Sequence, residues 1–380
     1  GRTVSIFKNP TFDVYALFLN CWTRRVLGVD YVDDLYKIKW FDPSMQALQR
    51  GLEAAFPGSN VILVSHDVAF EKVIVRVSSV SEPWTYYLLD RKTHLAGRIG
   101  VSYPLIHSHD LGAVKPYPYK ARDGLDIPGY LTLPPGKEPK NLPLVVIPHG
   151  ASSGGGPDSR DSMDFNWLTQ FLANRGYAVL QPNYRGSFGY GYPFRKAGFK
   201  QWGLKTQDDV TDGVNKVIAD GIADPKRVCI YGADYGGYIA LEGAELTPQL
   251  YRCVISYAGI SDWLDYLRIW EEEARPHSKT MSYLNSRIGV ASEDHEKLKA
   301  TSPALHAEKI MSPVLLMHGE SDYTVRIHQS QEMYDALRQA GKQVQFIKFT
   351  GEEDHYLQQA ESRIRLLTEI EKFLKENIGN

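Results

Sequence analysis

The sequence predicts an α/β fold in its C-terminal part, with a mostly parallel sheet flanked by helices, preceded by a smaller all-β segment. Three observations predict it. A glycine-rich turn from Gly232 to Tyr238 separates an apolar run from a helical pattern. Further along the chain, two more apolar runs each end in polar residues ahead of a new helical pattern. Residues 1–110 instead carry short β-rich runs separated by polar turns.

The N-terminal segment has the strand spacing of an all-β module, with one predicted helix over Pro43 to Phe56. On these signals alone, residues 1–110 could be a small β-domain complete in itself. The β-rich runs are Asp13–Leu19, Val61–Ser65, Lys72–Val77 and Thr85–Asp90.

The turn after the apolar run Arg227–Tyr231 has the form of a nucleophile elbow, a sharp strand-to-helix turn that lifts one side chain to its tip. Gly232 and Gly236 allow the backbone to fold tightly on either side of that tip. The residue at the tip is Asp234, where a serine hydrolase carries serine. A glycine-rich turn alone is more often an ordinary strand–helix junction. The elbow interpretation therefore depends on residues further along the chain.

Two strand-end residues lie downstream in the order that an α/β-hydrolase requires. The apolar run Pro313–Gly319 is followed by Asp322, ahead of a predicted helix from Gln329 to Ala340. A last strand over Val344–Phe349 is followed by His355, ahead of a terminal helix from about Gln358 to Asn377. The order nucleophile, acid, histidine is that of the α/β-hydrolase triad. Alone, Asp322 would be read as a helix cap or turn residue.

A further loop is in position to stabilise transition-state charge. The apolar run Leu144–Pro148 leads into His149, Gly150 and a glycine-rich stretch. In α/β-hydrolases the loop after this strand supplies one backbone N–H of the oxyanion hole, and the residue after the nucleophile supplies the other. We assign the two donors to the N–H groups of Ala151 and Tyr235. A flexible surface loop is the alternative.

From about residue 111 to 380 the chain resembles the catalytic domain of the prolyl oligopeptidase family, especially its bacterial acylaminoacyl-peptidase and dipeptidyl-peptidase-like branch. The matching stretches occur along that whole region in the family's order. They are Pro148-His149-Gly150, Gln181 to Gly191, the elbow through Leu241, His318 to Asp322 with Val325, and Glu353-Asp354-His355. The resemblance implies an α/β-hydrolase peptidase domain over residues 111–380, joined to a β-propeller that screens the active site. Residues 1–110 would then be the C-terminal blades of a truncated propeller, because they suffice for one or two blades and a closed propeller needs about four to eight. The upstream blades would be lost or supplied by another chain.

The resemblance also implies a serine-type peptidase that cuts short peptides or acyl-peptides through a Ser-Asp-His triad. Carried over by position, Asp322 is the triad acid, His355 is the base and Asp234 stands at the nucleophile. The family pattern has serine at the tip and a second glycine where Ala151 stands. A carboxylate is a weak nucleophile toward an amide, and its charge favours the protonated form of a neighbouring histidine. We therefore expect the chain to be inactive as a peptidase, as an engineered variant or a natural pseudoenzyme.

Two other interpretations stay open at this level. Epoxide hydrolases and haloalkane dehalogenases use an elbow aspartate to attack sp³ carbon, but they usually carry Trp after it, where this chain has Tyr235. The chain could also be a non-catalytic peptide-binding or interaction protein. Covalent alkyl labelling of Asp234 would favour the first, and peptide binding without turnover would favour an inactivated peptidase.

Composition limits the partners. Lys and Arg number 43 against 45 Asp and Glu, so no broad basic field points to nucleic acid. No apolar run approaches the roughly 18 residues of a membrane span. His107 and His109 lack the companions of a metal site, and we expect neither metal nor cofactor. We expect Cys229 and Cys253 to be buried thiols. The sequence leaves the cellular compartment unknown, with the cytoplasm favoured. Assembly into a homo-oligomer stays open.

Overall fold

The computed structural model describes residues 4–20, 22–150, 159–273, 278–351 and 354–379. Two small antiparallel sheets form the N-terminal part: a three-stranded sheet in the order β1-β2-β3 and a four-stranded meander in the order β4-β5-β6-β7. A single helix, α1, connects them and is capped by Asp42, whose side chain accepts hydrogen bonds from the N–H groups of Ser44 and Met45. These elements are β1 (Val14–Leu19), β2 (Val26–Val32), β3 (Tyr36–Trp40), α1 (Pro43–Ala55), β4 (Asn60–His66), β5 (Lys72–Ser79), β6 (Glu82–Asp90) and β7 (Leu95–Val101).

The N-terminal part has a core of its own. Alternate residues of β4 and β5 point inward, as the period of a half-buried strand requires. Val73 and Val75 are fully buried, and Trp40 and Met45 pack in the same cluster. The all-β prediction is confirmed for this segment. The four-stranded meander has the strand number of one propeller blade, and membership of a propeller stays a prediction.

The C-terminal part is built on an eight-stranded sheet in the order β17-β16-β15-β14-β12-β13-β11-β8. Six of the strands, from β17 to β13 in that order, are parallel, and β11 and β8 join one edge antiparallel. A separate two-stranded ribbon, β9 with β10, lies between β8 and β11 in the chain. The strands are β8 (Ala113–Pro116), β9 (Tyr119–Lys120), β10 (Asp126–Ile127), β11 (Gly129–Leu133), β12 (Leu142–Val146), β13 (Ala178–Pro182), β14 (Ala223–Ala233), β15 (Cys253–Tyr257), β16 (Val314–Gly319) and β17 (Val344–Phe349).

Helices cover both faces of this sheet, which explains why its central strands are buried along their whole length. One face packs against α4 and α5, and the other against α2 and α10. The α/β prediction is therefore confirmed, with helix and strand limits within a few residues of those expected. The helices are α2 (Trp167–Asn174), α3 (Gly191–Ala197), α4 (Lys205–Ala219), α5 (Tyr235–Leu246), α6 (Trp263–Glu273), α7 (Lys279–Arg287), α8 (His295–Ala300), α9 (His328–Gln339) and α10 (Ala360–Ile378).

One sequence-based expectation is wrong. Cys229 and Cys253, expected to be free buried thiols, form a disulfide. They lie on the neighbouring parallel strands β14 and β15 and face each other in register, with their Cα atoms 4.8 Å apart. That separation is within the range a disulfide requires. A strand register is set by tertiary pairing, so a count of cysteines could not reveal it.

Polar contacts join the N-terminal sheets to the C-terminal part. Arg160 donates from Nη1 to the Val32 carbonyl at 2.9 Å, and its guanidinium lies 4.1 Å from the Tyr190 ring centroid. Tyr130 donates to Asp34 Oδ1 at 2.8 Å. In the described part of the chain, no helix is long and apolar enough to cross a membrane.

Candidate active site

The elbow forms as the sequence predicts locally: β14 ends at Ala233, α5 begins at Tyr235, and Asp234 lies between them. Asp234 has φ 55° and ψ −122°, a region that a residue with a Cβ rarely adopts. Its N–H donates to the Tyr257 carbonyl at 3.0 Å, and its carbonyl accepts from the Tyr238 N–H at 3.1 Å. The backbone of Asp234 is thus strained. The residue is also buried, with only 3% of its surface exposed.

The elbow glycines are needed because other backbone atoms approach them closely. A Cβ on Gly232 would lie 1.9 Å from the Gly236 carbonyl oxygen, inside any tolerable contact. A Cβ on Gly236 would lie 2.3 Å from the Pro148 carbonyl oxygen. Gly150 makes a similar approach to the Ala233 carbonyl. The loop after β12 therefore packs directly on the elbow, where an oxyanion donor is needed.

Asp322 and His355, 33 residues apart in the chain, form a hydrogen-bonded pair. His355 Nδ1 lies 2.7 Å from Asp322 Oδ2. Asp322 Oδ1 accepts the N–H groups of Thr324 at 2.8 Å and Val325 at 2.9 Å, which fixes the carboxylate. A catalytic triad requires a contact of this kind, in which Nδ1 faces the carboxylate and Nε2 is directed away from it.

The acid is held in its charged form. Burial alone would raise the pKa of Asp322, but hydrogen bonds with His318 and His355 hold that pKa well below its usual value. His318 lies beneath the acid loop, with Nδ1 2.7 Å from Ser330 Oγ and Nε2 2.9 Å from the Val325 carbonyl oxygen. His318 is therefore a support for the acid loop.

The charge around His355 favours the imidazolium. Burial by itself lowers the pKa of His355, but the hydrogen bond with Asp322 and the negative charge of Asp234 together raise it above the usual value. Asp234 and His355 also line one cavity of about 240 Å³, together with Gly150 and Tyr257. The structure thus brings the three predicted triad positions together.

The predicted oxyanion donors are placed only in part. Tyr235 is the first residue of α5, so its N–H is among the unpaired donors of a helix N-terminus. Ala151, the other predicted donor, lies outside the described residues. Its neighbours Pro148 and Gly150 pack on the elbow, as the glycine contacts require.

Sequence reasoning missed the residues that support this loop. His149 is buried, and burial lowers its pKa to about 4, so the ring is neutral. Its Nε2 lies 2.7 Å from Ser187 Oγ, and the Tyr184 hydroxyl donates to the His149 carbonyl at 2.6 Å. Tyr257 also holds the histidine loop, because its hydroxyl reaches the His355 carbonyl at 3.1 Å. The run from residue 183 to 187 was a signal for two of these supports, whereas Tyr257 read as an ordinary strand residue.

Within the described ranges, no group of three or more His, Cys, Asp or Glu side chains is placed to hold a metal ion. The rings of His107 and His109 stack 5.5 Å apart in an exposed segment.

A strand-end elbow, an aspartate and a histidine in this order on a mostly parallel sheet define the class as α/β-hydrolase. Within that class, residues 163–380 match the model of the prolyl oligopeptidase family, Peptidase_S9. That match covers more than half of the 380 residues, and the chain belongs to the prolyl oligopeptidase family.

Several relatives and solved structures are similar to this chain. It is 30% identical over 391 residues to the dipeptidyl aminopeptidase BIII of Pseudoxanthomonas mexicana, covering 100% of this chain and 55% of that protein. It is 30% identical over 224 residues to the acylamino-acid-releasing enzyme of Mus musculus, covering 56% of this chain and 29% of that protein. The chain spans about half the length of the first of these relatives.

Among solved structures, the puromycin-hydrolyzing peptidase of Mycobacterium tuberculosis superposes with a TM-score of 0.78 at 24% identity, covering 93% of this chain and 52% of that one. The acylaminoacyl peptidase of Pyrococcus horikoshii gives 0.74 at 22% identity, covering 93% and 54%. At these identities the likeness concerns the fold.

Proposed function

We propose that this chain binds short peptides or acyl-peptides in the active site of a serine-type peptidase whose turnover is blocked at Asp234. The observation that carries the proposal is the position of Asp234: a buried aspartate at the tip of the elbow, in the cavity that it shares with His355. The other groups that acyl transfer needs are assigned to residues around it. Asp322 is the acid, His355 is the base, and the N–H groups of Tyr235 and Ala151 are the oxyanion donors.

The chemistry of the serine version explains why the aspartate blocks it. A serine hydroxyl would give its proton to His355 and attack the scissile carbonyl, and Asp322 would hold the imidazole in the required tautomer. An aspartate has no such proton to give, and its acyl product would be an anhydride that readily reverts. Its negative charge would also compete with the oxyanion for the N–H donors. Loss of a triad nucleophile removes about a million-fold in kcat in serine proteases.

The protonation of His355 is a second reason to expect no turnover. Because Asp322 and Asp234 raise the pKa of His355, the imidazole keeps its proton to a higher pH than an ordinary histidine does, and only the unprotonated ring can act as a base. Two nearby carboxylates stabilise the positively charged form of His355, and in that form the ring cannot accept a proton from a nucleophile.

The substrate class is proposed from the relatives. The protein from Pseudoxanthomonas mexicana is named a dipeptidyl aminopeptidase, and the mouse protein is named for releasing acylamino acids. Both names describe removal of a short N-terminal unit from a peptide. We extend that class, short peptides and acyl-peptides, to this chain.

We also propose a division of the chain into two domains. The N-terminal sheets end at Val101 and the large sheet begins at Ala113, so a boundary near residue 110 separates residues 1–110 from residues 111–380. We propose that the N-terminal sheets are propeller blades that screen the site, as in other family members.

The test is a comparison of the unaltered chain with Asp234→Ser on chromogenic aminoacyl and acylaminoacyl substrates. We expect turnover by Asp234→Ser alone, and none by an Asp234→Ser, His355→Gln double variant that controls for adventitious hydrolysis. Absence of turnover by a folded Asp234→Ser, together with absence of peptide binding by the unaltered chain, would refute the proposal. Covalent alkylation of Asp234 by an epoxide or haloalkane would instead assign an aspartate-nucleophile hydrolase.

A further inference from the structure

A second cavity, of about 730 Å³, lies between α2, α10 and the segment that connects the N-terminal sheets to the large sheet. Its volume is within the range of about 300 to 1,000 Å³ that is typical of ligand sites. Most of its lining is apolar. The apolar side chains that contribute are Tyr103, Leu105, Ile106, Phe171, Ile364 and Leu367.

This cavity adjoins the catalytic one. Trp167, at the start of α2, and Arg363, in the first turn of α10, line both cavities. Trp167 is 38% exposed, although it is a large apolar side chain next to the active site. The two side chains therefore stand at the boundary between the cavity of Asp234 and the larger apolar cavity.

The boundary lies next to the histidine loop of the catalytic cavity. His355, Tyr356 and Leu357 line the same catalytic cavity as Trp167 and Arg363. In acyl transfer the base histidine gives its proton to the departing amine, so the departing half of a peptide must pass next to it. A peptide whose carbonyl lies at Asp234 would thus extend its C-terminal half toward Trp167 and Arg363.

Arg363 supplies a cation at that point. Its guanidinium has neither a hydrogen bond nor an ion pair with any residue in the described ranges. The neighbouring Arg175, by contrast, forms an ion pair with Glu371, with 3.3 Å between Nε and Oε1. Arg363 also lies in the first turn of α10, where the helix dipole favours an anion. A planar guanidinium can bind a carboxylate through two parallel N–H···O hydrogen bonds, a bidentate arrangement.

We infer that Trp167, Arg363 and the apolar cavity form the subsite for the C-terminal side of a bound peptide, with Arg363 binding a free C-terminal carboxylate. The inference rests on the proposed function and narrows its substrate class to short peptides with a free C-terminal acid. The apolar walls beyond Trp167 favour bulky apolar side chains in that half of the peptide.

The test is calorimetric binding of acetyl-Ala-Ala-Phe-Leu, as the free acid and as the C-terminal amide, to the unaltered chain. We expect the acid to bind about tenfold more tightly than the amide, the effect of one charge-assisted hydrogen bond. Arg363→Met should abolish that ratio, and Arg363→Lys should retain part of it. Lys372→Met, which removes a cation from the same helix away from both cavities, should leave the ratio unchanged.

The outcomes separate the two proposals. Equal binding of acid and amide by the unaltered chain, or a ratio that survives in Arg363→Met, would overturn the subsite while leaving peptide binding in place. Failure of both peptides to bind, with no turnover by Asp234→Ser, would overturn the proposed function and the subsite together. A folded state of each variant is checked by its thermal unfolding curve.

Discussion

At the scale of single residues, the site is governed by how negative charge is distributed around one imidazole. Asp322 touches His355 directly, and Asp234 acts on it through its charge. In a serine hydrolase only the first of these carboxylates is present. The residue at the elbow tip therefore affects the protonation of His355.

Removing the Asp234 charge should lower the pKa of His355. We expect the imidazole resonances of His355 in Asp234→Ser to titrate at a lower pH than in the unaltered chain, as measured by NMR. Asp335→Ser, which removes a carboxylate on α9 away from the catalytic cavity, should leave the titration in place. If His355 titrates at the same pH in Asp234→Ser and in the unaltered chain, the charge of Asp234 does not raise its pKa.

The same shift has a consequence for stability. Because the folded-state pKa of His355 is raised above its unfolded value of 6.5, its stabilising contribution is complete below pH 6.5 and is lost as pH rises through the folded pKa. The free energy of unfolding, followed by urea denaturation, should therefore fall over that interval, and fall less in Asp234→Ser. A difference between the two proteins that is independent of pH would argue against this linkage.

Glu242 is a second titrating residue, on α5 below the elbow. It is fully buried, and burial followed by the charge of Glu245 raises its pKa well above 4.5. The folded protein thus keeps a proton that the unfolded chain loses above about pH 4.5, and stability falls as pH rises beyond that value. The neutral form of this carboxyl is the one that the fold accommodates.

We expect Glu242→Gln to stabilise the protein at pH 7.5, because the amide is neutral without binding a proton, and to have little effect at pH 4, where the carboxyl is mostly protonated in both states. Thermal unfolding at both pH values measures it. The control is Glu376→Gln, at an exposed position on α10, for which no gain is expected. A gain of equal size at pH 4 would mean that packing, and not protonation, is responsible.

At the scale of elements, the junction of β14 and α5 depends on backbone clearance. A Cβ at Gly232 would overlap the Gly236 carbonyl at 1.9 Å, whereas a Cβ at Gly97 on β7 would meet nothing within 4 Å. Gly232→Ala should therefore destabilise the protein by about 3 kcal/mol or more, and Gly97→Ala should have a small effect. Denaturant unfolding compares the two, and similar midpoints would refute the clearance argument.

At the scale of the whole molecule, polar contacts couple the N-terminal sheets to the hydrolase part. Arg160 donates a hydrogen bond to the Val32 carbonyl and stacks on the Tyr190 ring, so it connects β2 to the C-terminal part. We expect Arg160→Met to weaken that coupling and to separate a single calorimetric unfolding transition into two. Arg98→Met, on β7, serves as the control, and one unchanged transition in Arg160→Met would show that other contacts dominate.

Much of the fold could be predicted from the sequence because its signals are local. Apolar runs, turn glycines and helical periodicity located β14, β16, β17 and the helices after them to within a few residues. Strands β2 and β7 were not located because glycine and polar residues interrupt their apolar pattern, and β3 was not located although its five residues alternate apolar and polar side chains. The predicted site residues also came from local signals, since each lies just beyond a strand end.

The sequence by itself determined the α/β class, the family and the chain order of elbow, aspartate and histidine, because these reside in short contiguous motifs. Only the tertiary structure decided which distant groups meet: the disulfide between β14 and β15, the support of Asp322 by His318, and the apolar cavity beside Arg363. Strand register and helix packing bring those groups together, and neither is encoded in a local spacing of residues.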